Sequence, residues 1–292
     1  MIINQASLEG ISRTFSTIFN AAFDSAESQI DLIAMRVPST GSSVDYKFLA
    51  DDSTMREWIG ERFIKNLSGA SYTIKNKSFE KTIEVDRDDI EDDQIGVYAP
   101  HIQNIAQAAK QHPDILGFGL LKSGFDEVCF DENPFFSTAH PVGKKSVSNM
   151  AAGTNTPWFL MDLSRPLKPL IHQIRKTPEF VAMTNPNDAN VFMMKKFLFG
   201  VDDRKNMGFG LWQLAYGSKE PLTPETYAAA RAAMASFTRD DGKVPLGITP
   251  THLIVPGKLE SAGRTVLEAQ LVGGGNSNIW YNTAKLVVSP WL

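Results

Sequence analysis

The feature that most constrains this chain is a long extended segment, Ser42 to Asp93, which ends in an acidic helix start. Within it, residues 72–86 (YTIKNKSFEKTIEVD) alternate as a β-strand does, with Phe79, Lys81, Ile83 and Val85 on one face and Glu80, Thr82, Glu84 and Asp86 on the other. At about 3.3 Å per residue this run spans about 50 Å, whereas ordinary strands have about five or six residues. Because few of its residues are apolar, the ribbon cannot lie wholly on its own core. We predict that it projects and contacts another molecule.

The composition is typical of a folded protein of one large domain or two, with 292 residues, of which 42% are hydrophobic and 21% charged. The net charge of -4, without a Lys/Arg-rich block, argues against a tight nonspecific grip on nucleic acid, although loose contact stays open. Cys129 is the only cysteine, which excludes an intrachain disulfide and suits a reducing compartment. We expect neither a secretory signal nor a membrane span.

The N-terminal segment predicts an amphipathic helix. Its apolar residues recur at helical spacing: Leu8, Ile11, Phe15, Ile18, Phe19, Ala22 and Phe23. Two interpretations remain open at this point. The helix docks on the chain's own core, or it is an arm that packs on a neighbour.

The rest of the chain mixes helices and strands without regular βαβ alternation, which indicates the α+β class. A helix from Pro100 to Lys122, either interrupted or kinked at Pro113, should stop at Gly124. Residues 129–155 are typical of a loop, and Gly273–Asn276 of a flexible one. Further helices are predicted from about Ser164 through Ile174, from Pro224 with Thr223 as N-cap, and through Leu259, Val266 and Leu267. Strands are predicted at 191–199, 209–216, 252–255 and 285–288.

Signatures of common enzymes are missing from the sequence. It contains no phosphate-binding loop, no complete dinucleotide fingerprint, no HExxH and no GxSxG. The acidic run 86–93 departs from a calcium loop at Ile90, so we interpret it as a helix start. Cys129 and His140 could be imagined as a nucleophile and its base, but nothing nearby indicates an oxyanion hole, so a buried thiol and a loop histidine are favoured. We therefore predict no enzymatic activity, no metal and no cofactor.

Several short motifs, taken together and in order, carry a resemblance to a known family. They are residues 56–60 (REWIG), 72–76 (YTIKN), 87–93 (RDDIEDD), 112–114 (HPD), 209–215 (FGLWQLA) and 289–292 (SPWL). Over essentially its whole length, the chain resembles the major head subunit of Mu-like phages.

The resemblance implies the tailed-phage capsid fold of the Hong Kong 97 type. Its expected parts are an N-terminal arm (1–41), an extended loop (42–86), a peripheral domain with a spine helix (87–162 plus 277–292) and an axial domain (163–276). The predicted helix from Pro100 to Lys122 would be the spine helix, and the last strand would return to the peripheral domain.

The resemblance also implies a function. Such a major capsid protein assembles through pentamers and hexamers, in the host cytoplasm, into the icosahedral head of a virion. Its partners would be copies of itself, scaffold, portal and decoration proteins, and loosely contacted double-stranded DNA, with no membrane. The alternatives are a nanocompartment shell around a cargo protein and a soluble enzyme of unknown type.

Predicted assembly contacts follow from the projecting elements. Trp58, among charges near the ribbon tip, could anchor a contact or could pin the tip's own short helix. Ribbon lysines could serve a covalent Lys–Asn crosslink, but we favour a role in blunting an exposed strand edge. The predicted contact residues are Phe15, Phe19, Phe23, Arg56, Trp58, Ile59, Arg62, Lys75, Phe79, Asp88 and Asp89.

Overall fold

The fold is built on two β-sheets, each covered by helices. The structure is a computed structural model that describes residues 3–47, 72–185, 187–239 and 242–292. Its helices are α1 (Gln5–Ser25), α2 (Ile30–Ile33), α3 (Arg87–Glu91), α4 (Ala99–Ser123), α5 (Ala189–Met194), α6 (Pro224–Ala235) and α7 (Glu260–Leu267). Among these described residues, no helix is long and apolar enough to cross a bilayer.

Fifteen strands are described between and after these helices. They are β1 (Ala34–Pro38), β2 (Ser43–Asp45), β3 (Thr73–Lys75), β4 (Lys77–Asp86), β5 (His140–Val142), β6 (Lys145–Val147), β7 (Met150–Ala151), β8 (Trp158–Met161), β9 (Leu170–Met183), β10 (Lys196–Phe209), β11 (Ala215–Ser218), β12 (His252–Pro256), β13 (Leu271–Val272), β14 (Asn276–Ser277) and β15 (Lys285–Ser289).

The first sheet has four long strands in the order β1-β9-β10-β4. Strand β10 runs antiparallel to both β9 and β4, and β1 is parallel to β9. Helices α1 and α4 cover this sheet, and apolar residues of α1, α4, β4 and β10 form one buried cluster between them. The long strands therefore form the surface on which α1 and α4 pack.

Helix α4 is the longest helix and confirms the prediction for residues 100–122. It is a single helix that contains the buried Pro113, and Gly124 caps its end. Because proline has no backbone N–H, one hydrogen bond of the helix ladder is missing there. The next residue, Asp114, is buried and accepts hydrogen bonds from the hydroxyl of Ser28 (2.9 Å) and the backbone N–H groups of Gln29 (3.0 Å) and Ile30 (2.7 Å). This carboxylate fastens the start of α2 to the middle of α4.

The second sheet has five strands in the order β15-β12-β8-β11-β7 and lies in the largest buried cluster, together with residues of α6 and α7. Thr223 caps α6 and its side chain accepts from the N–H of Thr226, as the sequence predicted. The predicted strands at 252–255 and 285–288, and the helix that ends at Leu267, are also confirmed.

Several predicted elements were wrong. The helix expected from Ser164 through Ile174 is instead strand β9, whose first four residues are all buried. Such a continuous apolar run fits helical spacing as well as it fits a buried strand. The strand expected at 191–199 is divided, because Lys195 takes a left-handed conformation (φ 54°) that ends α5 and leads into β10. Similarly, residues 129–155 are not all loop, since they contain β5, β6 and β7.

The pairing of the strands does not follow the expected division of the chain. A boundary at 162/163 would separate β8 from its partners β11 and β12, which lie in the same sheet. Strands β9 and β10, expected in the axial domain, pair with β1 and β4 in the sheet that α4 covers. The last strand, β15, pairs with β12 and so joins the five-stranded sheet.

Candidate assembly surface

Helix α1 presents its apolar stripe to its own chain. The ring of Phe15 meets Phe199 edge-on at 5.0 Å, and Phe19 packs on Phe180 at 5.6 Å. Both Phe15 and Phe19 are 1% exposed. This differs from the expectation that they contact a neighbour, because the sheet already covers them. Of the two interpretations left open, the structure supports the one in which the helix docks on the chain's own core.

Phe23 is the predicted contact that α1 leaves partly accessible. It is half-buried, stacks on Phe19 with ring centroids 5.9 Å apart, and lies under the ammonium of Lys110 at 4.8 Å. The C-terminal end of α1 thus offers an aromatic ring and a cation close to the surface.

Within the segment expected to be the extended loop, β2 and β3 form a short antiparallel ladder in which Ser43 pairs with Lys75. Tyr46 is buried and donates to the side-chain oxygen of Gln173 (2.8 Å), while the amide of Gln173 donates to the carbonyl of Ile74 (3.1 Å). Burial raises the pKa of Tyr46 to about 12, so its hydroxyl stays a donor. Lys75 is exposed in this ladder. The other predicted contacts of the loop, Arg56, Trp58, Ile59 and Arg62, lie outside the described residues.

The remainder of the ribbon does not project. Strand β4 pairs with β10 over ten residues, from Lys77 opposite Lys205 to Asp86 opposite Lys196. The prediction of alternating faces is confirmed, because Val85 is fully buried and Ile83 partly buried on the side facing α1 and α4. The predicted partner was wrong. The backbone of this polar strand pairs with β10, a second long strand of the same chain, and not with another molecule.

A groove of about 430 Å³ lies between α4 and the sheet, next to β4. Phe79 forms one wall and meets His112 of α4 edge-on at 4.4 Å. Trp291, near the end of the chain, also lines it, together with charged residues of both signs, Glu80, Lys81 and Asp203. The predicted contact Phe79 is therefore half-exposed in an apolar groove.

The acidic segment starts a helix, as predicted. Asp88 and Asp89 lie in the first turn of α3, where the helix dipole favours negative charge. Asp89 also accepts a hydrogen bond from the hydroxyl of Tyr98 (2.5 Å), and Asp88 lies 3.6 Å from the ammonium of Lys195. Of the two, Asp88 is exposed to solvent and Asp89 is only partly exposed.

An apolar surface that the sequence did not predict is formed by α5. Phe192, Met193 and Met194 are 82%, 75% and 57% exposed, and Met183, at the end of β9, is also exposed. We call these four residues the α5 patch. It escaped prediction because residues 191–199 were interpreted as one strand, in which alternate residues would be buried. Contiguous exposed apolar side chains commonly indicate an interaction site.

Cys129 and His140 do come together, but through Asp131. The thiol lies 3.1 Å from one oxygen of Asp131, and Nδ1 of His140 lies 2.6 Å from the other. Cys129 is buried, and burial raises the pKa of its thiol. A buried, protonated thiol is a poor nucleophile, so this geometry does not favour the catalytic pair.

Comparison with known proteins places the whole chain in one family. The family described as Mu-like prophage major head subunit gpT matches residues 8–292. The major capsid protein of Escherichia phage Mu is 39% identical over 307 aligned residues, covering 100% of both chains.

Two solved structures are also similar over nearly the full length. A chain of the procapsid of bacteriophage JBD30 superposes with a TM-score of 0.89 at 38% identity, covering 99% of this chain and 100% of the other. A chain of the JBD30 capsid decorated with minor capsid protein trimers has a TM-score of 0.78 at 29% identity, covering 92% of each. These matches confirm the α+β capsid fold of the Hong Kong 97 type. The chain therefore belongs to the Mu-like major head subunits, the major capsid proteins of phage heads.

Proposed function

We propose that this chain assembles with copies of itself through pentamers and hexamers into an icosahedral head that encloses phage DNA, and that its role is structural rather than enzymatic. The observation that carries the proposal is the full-length similarity to a procapsid subunit. The described geometry supports it, because β2 and β3, which flank residues 48–71 in the sequence, pair with each other beside the buried Tyr46 and Ile74.

The two sheets suggest how the subunit is divided. We assign the four-stranded sheet with α1 and α4 to the peripheral domain, and the five-stranded sheet with α6 and α7 to the axial domain. Each unit then keeps its own strand pairing. The larger buried cluster joins the two units, because it also contains Phe118 of α4, Leu170 of β9 and Phe209 of β10. The strand pair β2 and β3 would form the base of the extended loop, and the N-terminal helix would form part of the peripheral unit.

Head-to-tail contacts between identical subunits close into rings when the rotation between neighbours fits. We assign to these contacts the exposed features of the peripheral unit: the α5 patch, the groove beside Phe79, the exposed Lys75 and Asp88, and Phe23. Asp89 would contribute indirectly, by accepting the hydrogen bond that positions Tyr98. Each contact is small, but contacts linked through a closed lattice act together and make loss of one subunit slow.

Partners of the assembled shell follow from the same proposal. A near-balanced charge allows DNA to be enclosed without tight binding, since dense Lys and Arg would bind phosphates strongly. A related capsid, that of JBD30, carries minor capsid protein trimers. We propose that this shell also receives decoration proteins, in addition to scaffold and portal proteins.

Deleting residues 53–68 tests the assignment of the extended loop. The shortened chain should fold, because the ladder of β2 and β3 and both sheets lie outside the deletion, but it should assemble poorly. Circular dichroism reports folding, and sedimentation with negative-stain microscopy reports particles. The matched control replaces the same sixteen residues with a flexible Gly/Ser linker of equal length. This linker keeps the length of the chain and removes the native side chains. Particles of normal size and stability from the deleted chain would contradict the assignment.

A further inference from the structure

We propose that Cys129, Asp131 and His140 form a binding site for one divalent transition-metal ion of the Zn²⁺ type. Their ligand atoms, one sulfur, one carboxylate oxygen and one imidazole nitrogen, lie within 4.8 Å of one another. Zn²⁺ and its spectroscopic substitute Co²⁺ favour such a set, whereas Mg²⁺ and Ca²⁺ prefer oxygen ligands alone. This proposal does not depend on capsid assembly.

The imidazole is held in the orientation that a metal ligand requires. The side-chain amide of Asn149 donates to the carbonyl of Phe135 (2.8 Å), which leaves its oxygen to accept from the N–H of Ser137 (2.9 Å) and from Nε2 of His140 (3.1 Å). If the amide of Asn149 were flipped by 180°, its NH₂ group would face the backbone N–H of Ser137, and both groups are donors. Nε2 therefore carries a proton, and Nδ1 is the nitrogen that faces the cluster. A hydrogen bond from the second ring nitrogen is the usual way in which a protein orients a histidine ligand.

Packing fixes the plane of the ring as well. The imidazole stacks on the indole of Trp212 with centroids 4.0 Å apart and planes 8° apart, and His140 is completely buried. The ring can neither rotate nor swing out to solvent. Nδ1 is therefore directed at the carboxylate of Asp131.

Asp131 links the other two members of the cluster and also accepts a hydrogen bond from the backbone N–H of Asn133 (3.2 Å). Its two oxygens lie 2.6 Å from Nδ1 of His140 and 3.1 Å from Sγ of Cys129. With bonds of about 2.0 to 2.3 Å, tetrahedral ligands of zinc lie about 3.3 to 3.8 Å apart. Binding would therefore move the carboxylate away from the imidazole and bring together ligand atoms that now lie up to 4.8 Å apart. The side chain of Asp131 is 9% exposed while that of His140 is not exposed at all. An ion would therefore enter on the side of Asp131, and a water would complete its four ligands.

The ion would take the place of the protons that now link the cluster. Cys129 gives up its thiol proton and becomes a thiolate, Nδ1 of His140 offers its lone pair, and the displaced protons pass to water. The metal would join the loop after α4, which carries Cys129 and Asp131, to the β5–β6 hairpin, which carries His140. Its effect would be to clamp these two segments together.

Titration of the purified full-length chain, free of any histidine tag, with Co²⁺ tests the site. We expect one Co²⁺ per chain, with visible absorption typical of four-coordinate cobalt and a near-ultraviolet band from thiolate-to-metal charge transfer. Zn²⁺ should abolish both by displacement. Because Cys129 is the only cysteine, the charge-transfer band can arise from no other residue.

Variants distinguish binding at this site from nonspecific binding of Co²⁺ elsewhere on the protein. Cys129→Ser should remove the charge-transfer band, and Asp131→Asn should weaken Co²⁺ binding by at least about tenfold, the scale seen when metal sites lose a supporting group. The matched control, His101→Gln, changes an exposed histidine of α4 and should bind as the parent does. Circular dichroism verifies that each variant is folded. Absence of the charge-transfer band in the parent chain, or equal loss of binding in His101→Gln, would overturn the proposal.

Discussion

At the scale of single residues, this fold depends on a few buried polar groups. Most of the described polar groups in the core have hydrogen-bonding partners; Asp114, for example, accepts from three donors. His172 is an exception, because neither of its ring nitrogens has a hydrogen-bonding partner among the described residues. A buried polar group that loses its partner costs more than the bond itself contributed. These positions therefore give the clearest predictions for the stability of the subunit.

Asp114→Ala should destabilise the subunit by about 3 kcal/mol, because it leaves three donors at the start of α2 without their acceptor. Asp114→Asn keeps one acceptor oxygen and should cost less. Chemical denaturation of unassembled protein measures both, with Asp126→Ala, at an exposed carboxylate, as the control. Equal stability of the Asp114→Ala and Asp126→Ala variants would refute the role of this carboxylate.

His172 should make the subunit less stable in acid. Burial lowers the pKa of His172 from an ordinary 6.5 to about 4, with Lys205 and Arg36 acting in the same direction. Between these values the unfolded chain binds the proton and the folded chain does not. Stability is thus complete above pH 6.5 and falls as the pH approaches 4, by up to about 3 kcal/mol from this group.

His172→Gln should flatten this dependence, measured as the free energy of unfolding at a series of pH values. Some slope should remain, because burial also lowers the pKa of His112 and of His252. The control His101→Gln alters an exposed ring and should keep the parent slope. The same slope in His172→Gln and in the parent would exclude His172 as the acid-sensitive group.

At the scale of elements, α4 packs closely against α2, and this close approach requires a small residue. A Cβ on Gly117 would lie 2.1 Å from Cδ1 of Ile30, whose side chain is itself buried. Two residues along the same helix, Gly119 is exposed and a Cβ there would meet no atom within 4 Å. The two glycines thus lie in the same helix but face different surroundings.

Gly119→Ala should stabilise the subunit by about 0.5 to 1 kcal/mol through helix propensity, and Gly117→Ala should destabilise it by about 1 to 3 kcal/mol through overpacking. Thermal unfolding of unassembled protein compares the two substitutions directly. Each variant serves as the control for the other, since the chemical change is identical. Stabilisation by both would mean that α2 moves away from α4 at little cost.

At the scale of the whole molecule, the described surface carries apolar side chains that the subunit alone does not cover. The α5 patch projects from the far end of the β9–β10 pair, where Met183 lies opposite Leu198. Its exposure contributes nothing to the stability of one subunit, but its burial between subunits would be favourable at about 25 cal/mol per Å². The surface is therefore predicted to matter for assembly and not for folding.

Replacing Phe192 and Met193 together by Ser should reduce particle yield several-fold and leave the melting temperature of unassembled protein within about 1 °C, because exposed positions seldom affect folding. Sedimentation and light scattering measure assembly. Ile279→Ser, at a position 77% exposed in the segment between β14 and β15, is the matched control. Particles formed at the parent's yield would show that the α5 patch is not an assembly contact.

The sequence by itself determined the elements whose cause is local. The apolar stripe of α1, the cap at Thr223, the stop of α4 at Gly124 and the alternation of β4 all follow from spacing and residue type, and the ordered motifs were sufficient for the family. Only the tertiary structure decided which surfaces meet. Phe15 and Phe19 are covered by the chain's own sheet, β4 is paired by β10, and the apolar run at Leu170 is a strand because β1 and β10 lie on either side of it. Periodicity records that a face is buried, but its partner depends on residues far away in the sequence.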